Sequence, residues 1–186
     1  IKSIIAGKFP VITTLARDEE RKGRQFVVNA LAEIIKKFPN VLYLVAGQGP
    51  YLEDIKLYSR KLGIAGNIQF LGWITEPEKS LILKNSDLFV MTPTVVGESV
   101  EGFGMSFIDA AFHGVASIGT DSGGISDAIV DKETGILCMA GNQKNITENI
   151  LQLLSDHEKR LQMGINGKTR AEKFFTWKNK IGEYLE

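Results

Sequence analysis

Val41-Leu42-Tyr43-Leu44-Val45-Ala46, followed at once by Gly47-Gln48-Gly49-Pro50, is the stretch that decides the fold of this chain. An unbroken apolar run of this length does not suit a strand with one wet face. It suits a strand covered on both faces, as in a parallel sheet held between two layers of helices. The residues just before it agree. Over 24–38, Phe26, Val27, Ala30, Leu31, Ile34, Ile35 and Phe38 recur at helical spacing, Asn29, Glu33, Lys36 and Lys37 take the other face, and Pro39-Asn40 ends the pattern. Working outward, strands are predicted at 11–16, 41–46, 68–71, 88–92, 116–119 and 135–139. Helices are predicted at 24–38, 51–62, 76–85 (with Pro77 in the first turn), 106–113 and 124–130, from 144 onward, and at 177–186. About six strands separated by helices predict an α/β fold, a parallel sheet with helices on both faces. In such sheets ligands sit beyond the carboxyl ends of the strands. The loops to inspect are therefore 17–23, 47–50, 72–76, 93–105 and 119–124.

Composition narrows the function classes. Of 186 residues 44% are hydrophobic and 24% charged, enough for a packed core. Lys plus Arg and Asp plus Glu are both 22, so no basic surface recommends a nucleic-acid partner, and any anion site must be local. The single cysteine, Cys138, lies in an apolar run and reads as a packing residue. One cysteine fits a reducing compartment and a cytoplasmic location, and no metal-ligand spacing is present. No run approaches the ~20 apolar residues of a membrane span. The opening Ile1-Lys2-Ser3 carries no initiator Met, so the chain is expected to be cut from a longer one.

Three loops carry candidate chemistry. In Arg17-Asp18-Glu19-Glu20-Arg21-Lys22-Gly23, Arg17 leaves the first strand's end and Lys22 sits at the next helix's start, where a cation opposes the helix dipole unless an anion lies between. A planar fork with a point charge is a common phosphate pairing, and a solvated loop neutralised by Asp18, Glu19 and Glu20 is the alternative. The Gly-rich loop 94–104 opens into a helix whose free N–H groups, beside Gly102 and Gly104, make a diphosphate seat, while Glu98 and Glu101 suit sugar hydroxyls. Asp109, among Ile108, Ala110 and Phe112, is expected to meet a buried partner or a ligand's hydroxyls. Gly47-Gln48-Gly49 is a weak dinucleotide signal because Leu52 replaces the third glycine, yet it suits a turn that a ligand approaches, as does Ser122-Gly123-Gly124. His113, His157 and Trp177 read as structural, and Lys168, Arg170, Lys173, Lys178 and Lys180 as a solvated helix face.

Taken in order, these signals resemble the family-four group of retaining glycosyltransferases, enzymes of two Rossmann-like domains in the GT-B arrangement. Glu101-Gly102-Phe103-Gly104 with Asp109-Ala110-Ala111 and Gly114 resembles the family's two acidic residues separated by seven. Thr120-Asp121-Ser122-Gly123-Gly124 resembles the turn that follows, Arg17 with Lys22-Gly23 the phosphate-binding cations, and Ile68 through Gly72-Trp73-Ile74 the strand whose end touches the base. The sequence departs at Asp109 (Glu is usual), at Val115-Ala116 (an apolar-Pro pair is usual) and at Asp127 (Glu is usual).

The resemblance implies roles. Arg17, Lys22 and Glu101 would be the catalytic set. Arg17 and Lys22 would hold the donor's diphosphate, helped by the N–H groups of Gly104 and Met105. Glu101 would hold the transferred sugar and Asp109 the ribose, and Ile74 would read the base near Lys79. Gly47, Gly49, Trp73 and Phe103 complete the expected donor contacts. The donor would be a UDP-, GDP- or ADP-sugar, with no permanent cofactor and no metal. Residues 1–176 would be the donor domain and 177–186 a helix crossing back to an N-terminal domain that binds the acceptor, a sugar or lipid, with the parent peripheral at the inner membrane face. A fragment of this kind is expected to bind nucleotide and transfer little sugar. The alternatives are an epimerase or phosphorylase of the same fold, a nicotinamide-dependent oxidoreductase, and a non-catalytic binding module.

Overall fold

The computed structural model describes residues 1–176. Six strands form one parallel sheet: β1 (Val11–Leu15), β2 (Leu42–Ala46), β3 (Ile68–Gly72), β4 (Leu88–Val90), β5 (Ser117–Thr120) and β6 (Gly135–Cys138). Their order is β3-β2-β1-β4-β5-β6, so the chain runs outward from β1 to β3, then crosses back and continues from β4 on the other side of β1. The helices are α1 (Lys2–Ile5), α2 (Arg24–Lys37), α3 (Leu52–Lys61), α4 (Glu76–Lys84), α5 (Met105–Phe112), α6 (Ile125–Ala128), α7 (Gln143–Ser155) and α8 (His157–Phe174).

Successive strand residues point to opposite faces, and here both faces are dry. Tyr43, Val45, Leu88 and Val90 join one core with Leu31 and Ile34 of α2, Ile55 of α3 and Ile150 of α7. Leu42, Leu44, Phe89 and Met91 join the other, with Ile82 and Leu83 of α4, Phe107 and Ile108 of α5 and Ile125 of α6. This double coverage is why the run at 41–46 contains no polar position. Cys138 is buried in the first core, and burial pushes its thiol up to about 12.

The elements differ from expectation mainly at their ends. Helical pattern from 144 onward divides at Asp156, whose side chain accepts from the Lys159 N–H at 3.0 Å and so starts α8. Thr75 and Glu78 form a reciprocal capping box around Pro77, which fixes the start of α4. Helix α1 was not expected; its Ile4 and Ile5 pack on the second core. The helix predicted at 177–186, with Trp177, Lys178 and Lys180, lies outside the described residues. Arg170 corrects the solvated-face expectation, since it donates to the Asp127 carbonyl at 2.8 Å and lies over the Phe175 ring.

Candidate functional site

The strand order reverses between β1 and β4, and the crevice there is where a doubly wound sheet takes ligands. The two loops that leave these strands are those with the candidate cations and carboxylates. Contact between them is direct. Glu101 Oε2 accepts from Lys22 Nζ at 2.5 Å and from Arg21 Nη1 at 2.9 Å. The Lys22 and Glu101 side chains are each 10% exposed, which makes this a buried charge cluster. Arg21 also reaches Glu19 at 2.9 Å, and Glu19 pairs with Arg17 at 3.2 Å.

Two expectations about this loop need correction. Lys22 is not the first residue of a helix. It ends a short 3-10 turn, Glu20–Lys22, and Gly23 separates it from α2. Gly23 has φ +69°, and a Cβ there would strike the Thr92 carbonyl, so only glycine lets this turn lie against the end of β4. The anion beside Lys22 in this molecule is the Glu101 carboxylate itself. The second correction concerns Asp18, which does not neutralise a solvated loop. It is fully buried against Arg24, also fully buried. Arg24 donates to the Ala16 carbonyl, and to that of Ala46 at 3.4 Å, holding the carboxyl ends of β1 and β2 together. The two side chains form a buried ion pair. Burial pushes the Asp18 carboxyl above its ordinary range, against the pull of Arg24.

Helix α5 starts at the same crevice. Gly104 precedes it in a left-handed conformation, and no side chain caps it. Ser106 Oγ donates to the Leu15 carbonyl at 2.7 Å, which ties this helix start to the end of β1. Across the first turn lies a cavity of about 230 Å³ whose walls include Ala46, Gly47, Trp73, Ile74, Lys79, Ser106 and Asp109. Trp73 is 72% exposed at its rim. Lys79 Nζ bonds Asp109 Oδ2 at 3.1 Å and Glu76 Oε2 at 2.8 Å. Burial alone would push the Lys79 ammonium down, but these carboxylates outweigh it and hold the ammonium above its ordinary range. Asp109 thus has a protein partner and remains about a third exposed, its side chain 34% accessible. An apolar groove of about 670 Å³ shares Asp109 and is lined by Phe103, Met105 and Phe112.

The structure therefore gathers Glu101 with Lys22, and Gly47, Trp73, Ile74, Lys79 and Asp109 around one cavity. It does not bring Arg17 to Glu101; the Arg17 side chain is 78% exposed and pairs with Glu19. The glycine turns also meet a packing need that the sequence did not show. A Cβ at Gly47 would strike the Ala16 carbonyl, one at Gly49 that of Asp18, and ones at Gly123 and Gly124 those of Glu101 and Gly102. These glycines accommodate neighbouring backbone, and Gly47 also lines the cavity. Sequence reasoning missed Arg21, Ser106 and the Asp18–Arg24 pair. The available signal for Arg21 was two successive cations opposite a loop with two carboxylates. Likewise His113 has a serine neighbour, Ser80 Oγ at 3.0 Å, but its other nitrogen meets the Asp109 carbonyl at 2.8 Å, an arrangement that joins α4 to α5.

Residues 1–170 match the family model of glycosyl transferases group 1, and the chain belongs to that family. A GDP-mannose-dependent alpha-(1-6)-phosphatidylinositol monomannoside mannosyltransferase of Mycolicibacterium smegmatis is 29% identical over 182 residues, which cover 97% of this chain and 48% of that protein. An N-acetyl-alpha-D-glucosaminyl L-malate synthase of Bacillus anthracis is 31% identical over 160 residues, 86% of this chain and 40% of that protein. Among solved structures, Anabaena HepE in complex with UDP and glucose matches with a TM-score of 0.87 at 22% identity, over 99% of this chain and 50% of HepE. The C-terminal domain of a glycosyl transferase group 1 family protein from Francisella tularensis matches at 0.79 and 23% identity, over 91% of this chain and 88% of that domain. At these identities the likeness to solved structures is one of fold. The chain spans about half the length of the curated relatives it matches. Among the described residues no helix is long and apolar enough to cross a membrane.

Proposed function

We propose that this chain is the donor-binding half of a retaining glycosyltransferase and seats a nucleoside-diphosphate sugar at the β1/β4 crevice. The observation that carries the proposal is the Lys22–Glu101 contact. It joins, across 79 positions of sequence, a buried cation suited to phosphate and a buried carboxylate suited to sugar hydroxyls, at the edge where such sheets bind ligands. Lys22 and Arg17 would hold the diphosphate with the uncapped N–H groups at Gly104 and Met105. Glu101 would accept from the sugar's hydroxyls, and Asp109, fixed by Lys79, from the ribose. Gly47, Trp73 and Ile74 would flank the base, with Gly49 bracing the loop and Phe103 the start of α5.

In the reaction the bond between the sugar's anomeric carbon and the diphosphate oxygen breaks, and its electron pair stays on the diphosphate. The acceptor hydroxyl attacks from the same face, and its proton passes to the departing phosphate oxygen. Cations and helix-start donors fixed at that oxygen bind the charge as it develops, each contributing about 2–4 kcal/mol by analogy with single oxyanion donors. The acceptor's binding surface belongs to the other half of a two-domain parent, so this chain alone should bind nucleotide with little transfer.

The test is calorimetric titration of the chain with UDP, GDP, ADP and NAD, with and without magnesium, beside the Arg17→Ala variant. The HepE complex with UDP and the GDP-mannose-dependent relatives make UDP and GDP the first two to try. One diphosphate should bind without magnesium, and Arg17→Ala should weaken it about tenfold, the effect of losing one charge-assisted contact. Binding of NAD alone would overturn the proposal.

A further inference from the structure

Arg21 has no part in the roles above, yet with Lys22 it ties the two loops of the crevice together. Its Nε donates to Glu19 at 2.9 Å, and its Nη1 donates to Glu101 Oε2 at 2.9 Å and meets the Val100 carbonyl at 3.5 Å. Its own carbonyl accepts from the Thr94 N–H at 2.8 Å, at the other end of the Glu101 loop. Lys22 and Arg21 both bond the same carboxylate oxygen, Oε2, and no described residue donates to Oε1.

The two cations differ in what they can do next. Lysine is a point charge on a flexible stem and can turn to a new anion. Arginine is a planar fork whose bonds have fixed directions, and here the fork spans two carboxylates. If a diphosphate draws Lys22 away, Glu101 is a buried carboxylate with one partner fewer, and leaving it unpaired would be costly. We propose that Arg21 is a positioning residue: it keeps Glu101 Oε2 in place while Lys22 turns to the diphosphate, so that Oε1 is presented to a hydroxyl of the donor sugar. This rests on the donor-site proposal and adds to it a division of labour between adjacent cations.

The experiment compares, for whichever of UDP and GDP binds the wild-type chain, its affinity with that of UDP-glucose or GDP-mannose. Arg21→Ala should lower the ratio of sugar-nucleotide to diphosphate affinity about tenfold, the worth of a charge-assisted hydrogen bond acting through Glu101. Diphosphate affinity itself should stay within a factor of about three, because Arg21 bonds Glu19 and Glu101 and has no part in holding the phosphates. Arg21→Lys should recover part of the ratio. Glu101→Gln should lower it similarly, and adding Arg21→Ala to Glu101→Gln should lower it no further. Equal weakening of both ligands by Arg21→Ala, an unchanged ratio, or full additivity with Glu101→Gln would overturn the role of Arg21 while leaving the donor site standing. Should Arg21→Ala not fold, Arg21→Lys and Arg21→Gln carry the same comparison. A wild-type chain that binds none of UDP, GDP and ADP would remove the donor site and this role together.

Discussion

Glu101 and Asp109 stand at the two walls of one crevice, and the walls are built differently. On the β1/β4 wall, Glu101 is 10% exposed and carries Arg21 and Lys22 on one oxygen, and the loop that supplies these cations is flanked by the fully buried Asp18–Arg24 pair. On the α4/α5 wall, Asp109 is 34% exposed and shares a single lysine with Glu76, which is 83% exposed. Charges out of water interact strongly and are costly to unpair, whereas half-wet pairs are screened and contribute little. The first wall therefore holds its charges the more firmly of the two. The second can adjust to what it binds.

The largest effect should come from that buried pair. Arg24→Met strands the Asp18 carboxylate and should lower stability by about 3–5 kcal/mol, read by denaturant unfolding. The double change Asp18→Leu with Arg24→Met should restore most of the loss, because apolar replacement of a whole buried pair is often neutral. A single variant as stable as wild type would show that this wall does not depend on its buried charges. Next comes Lys22→Met, which should weaken the bound diphosphate about 10- to 100-fold by calorimetry, the range for hydrogen bonds to charged groups. Smallest is Lys79→Met on the wet wall, where the loss should be about two- to fivefold and should shrink as ionic strength rises. Equal losses at Lys22 and Lys79, with equal salt dependence, would erase the distinction between the walls.

Much of this frame was legible along the chain. The run at 41–46 gave a doubly covered strand because each of its side chains enters one core or the other, and the six strands appeared close to where they were expected. Phe26, Val27, Leu31 and Ile34 gave a helix face by spacing alone. The acidic residues and the Arg17–Lys22 loop were picked out as residue types in suitable loops. What was not legible was pairing. Asp18 and Glu19 are neighbours in sequence, but one is fully buried and the other edges the solvent. Arg24 opens an amphipathic helix, but its guanidinium lies under the strand ends instead of in water. The glycines of 47–49 and 123–124 were seen, but their purpose was hidden, because the carbonyls that fill their Cβ space come from loops remote in sequence.

By itself the sequence determined the alternation of strands and helices, the sidedness of each helix and the kinds of charge in each loop, since all of these depend on spacings of a few residues. Only the tertiary structure decided which charges meet. Sheet order places β1 beside β4, and with that Lys22 and Arg21 reach Glu101 from 79 and 80 positions away. Coulomb attraction and burial depend on distance through space and on the exclusion of water, and neither is a function of distance along the chain.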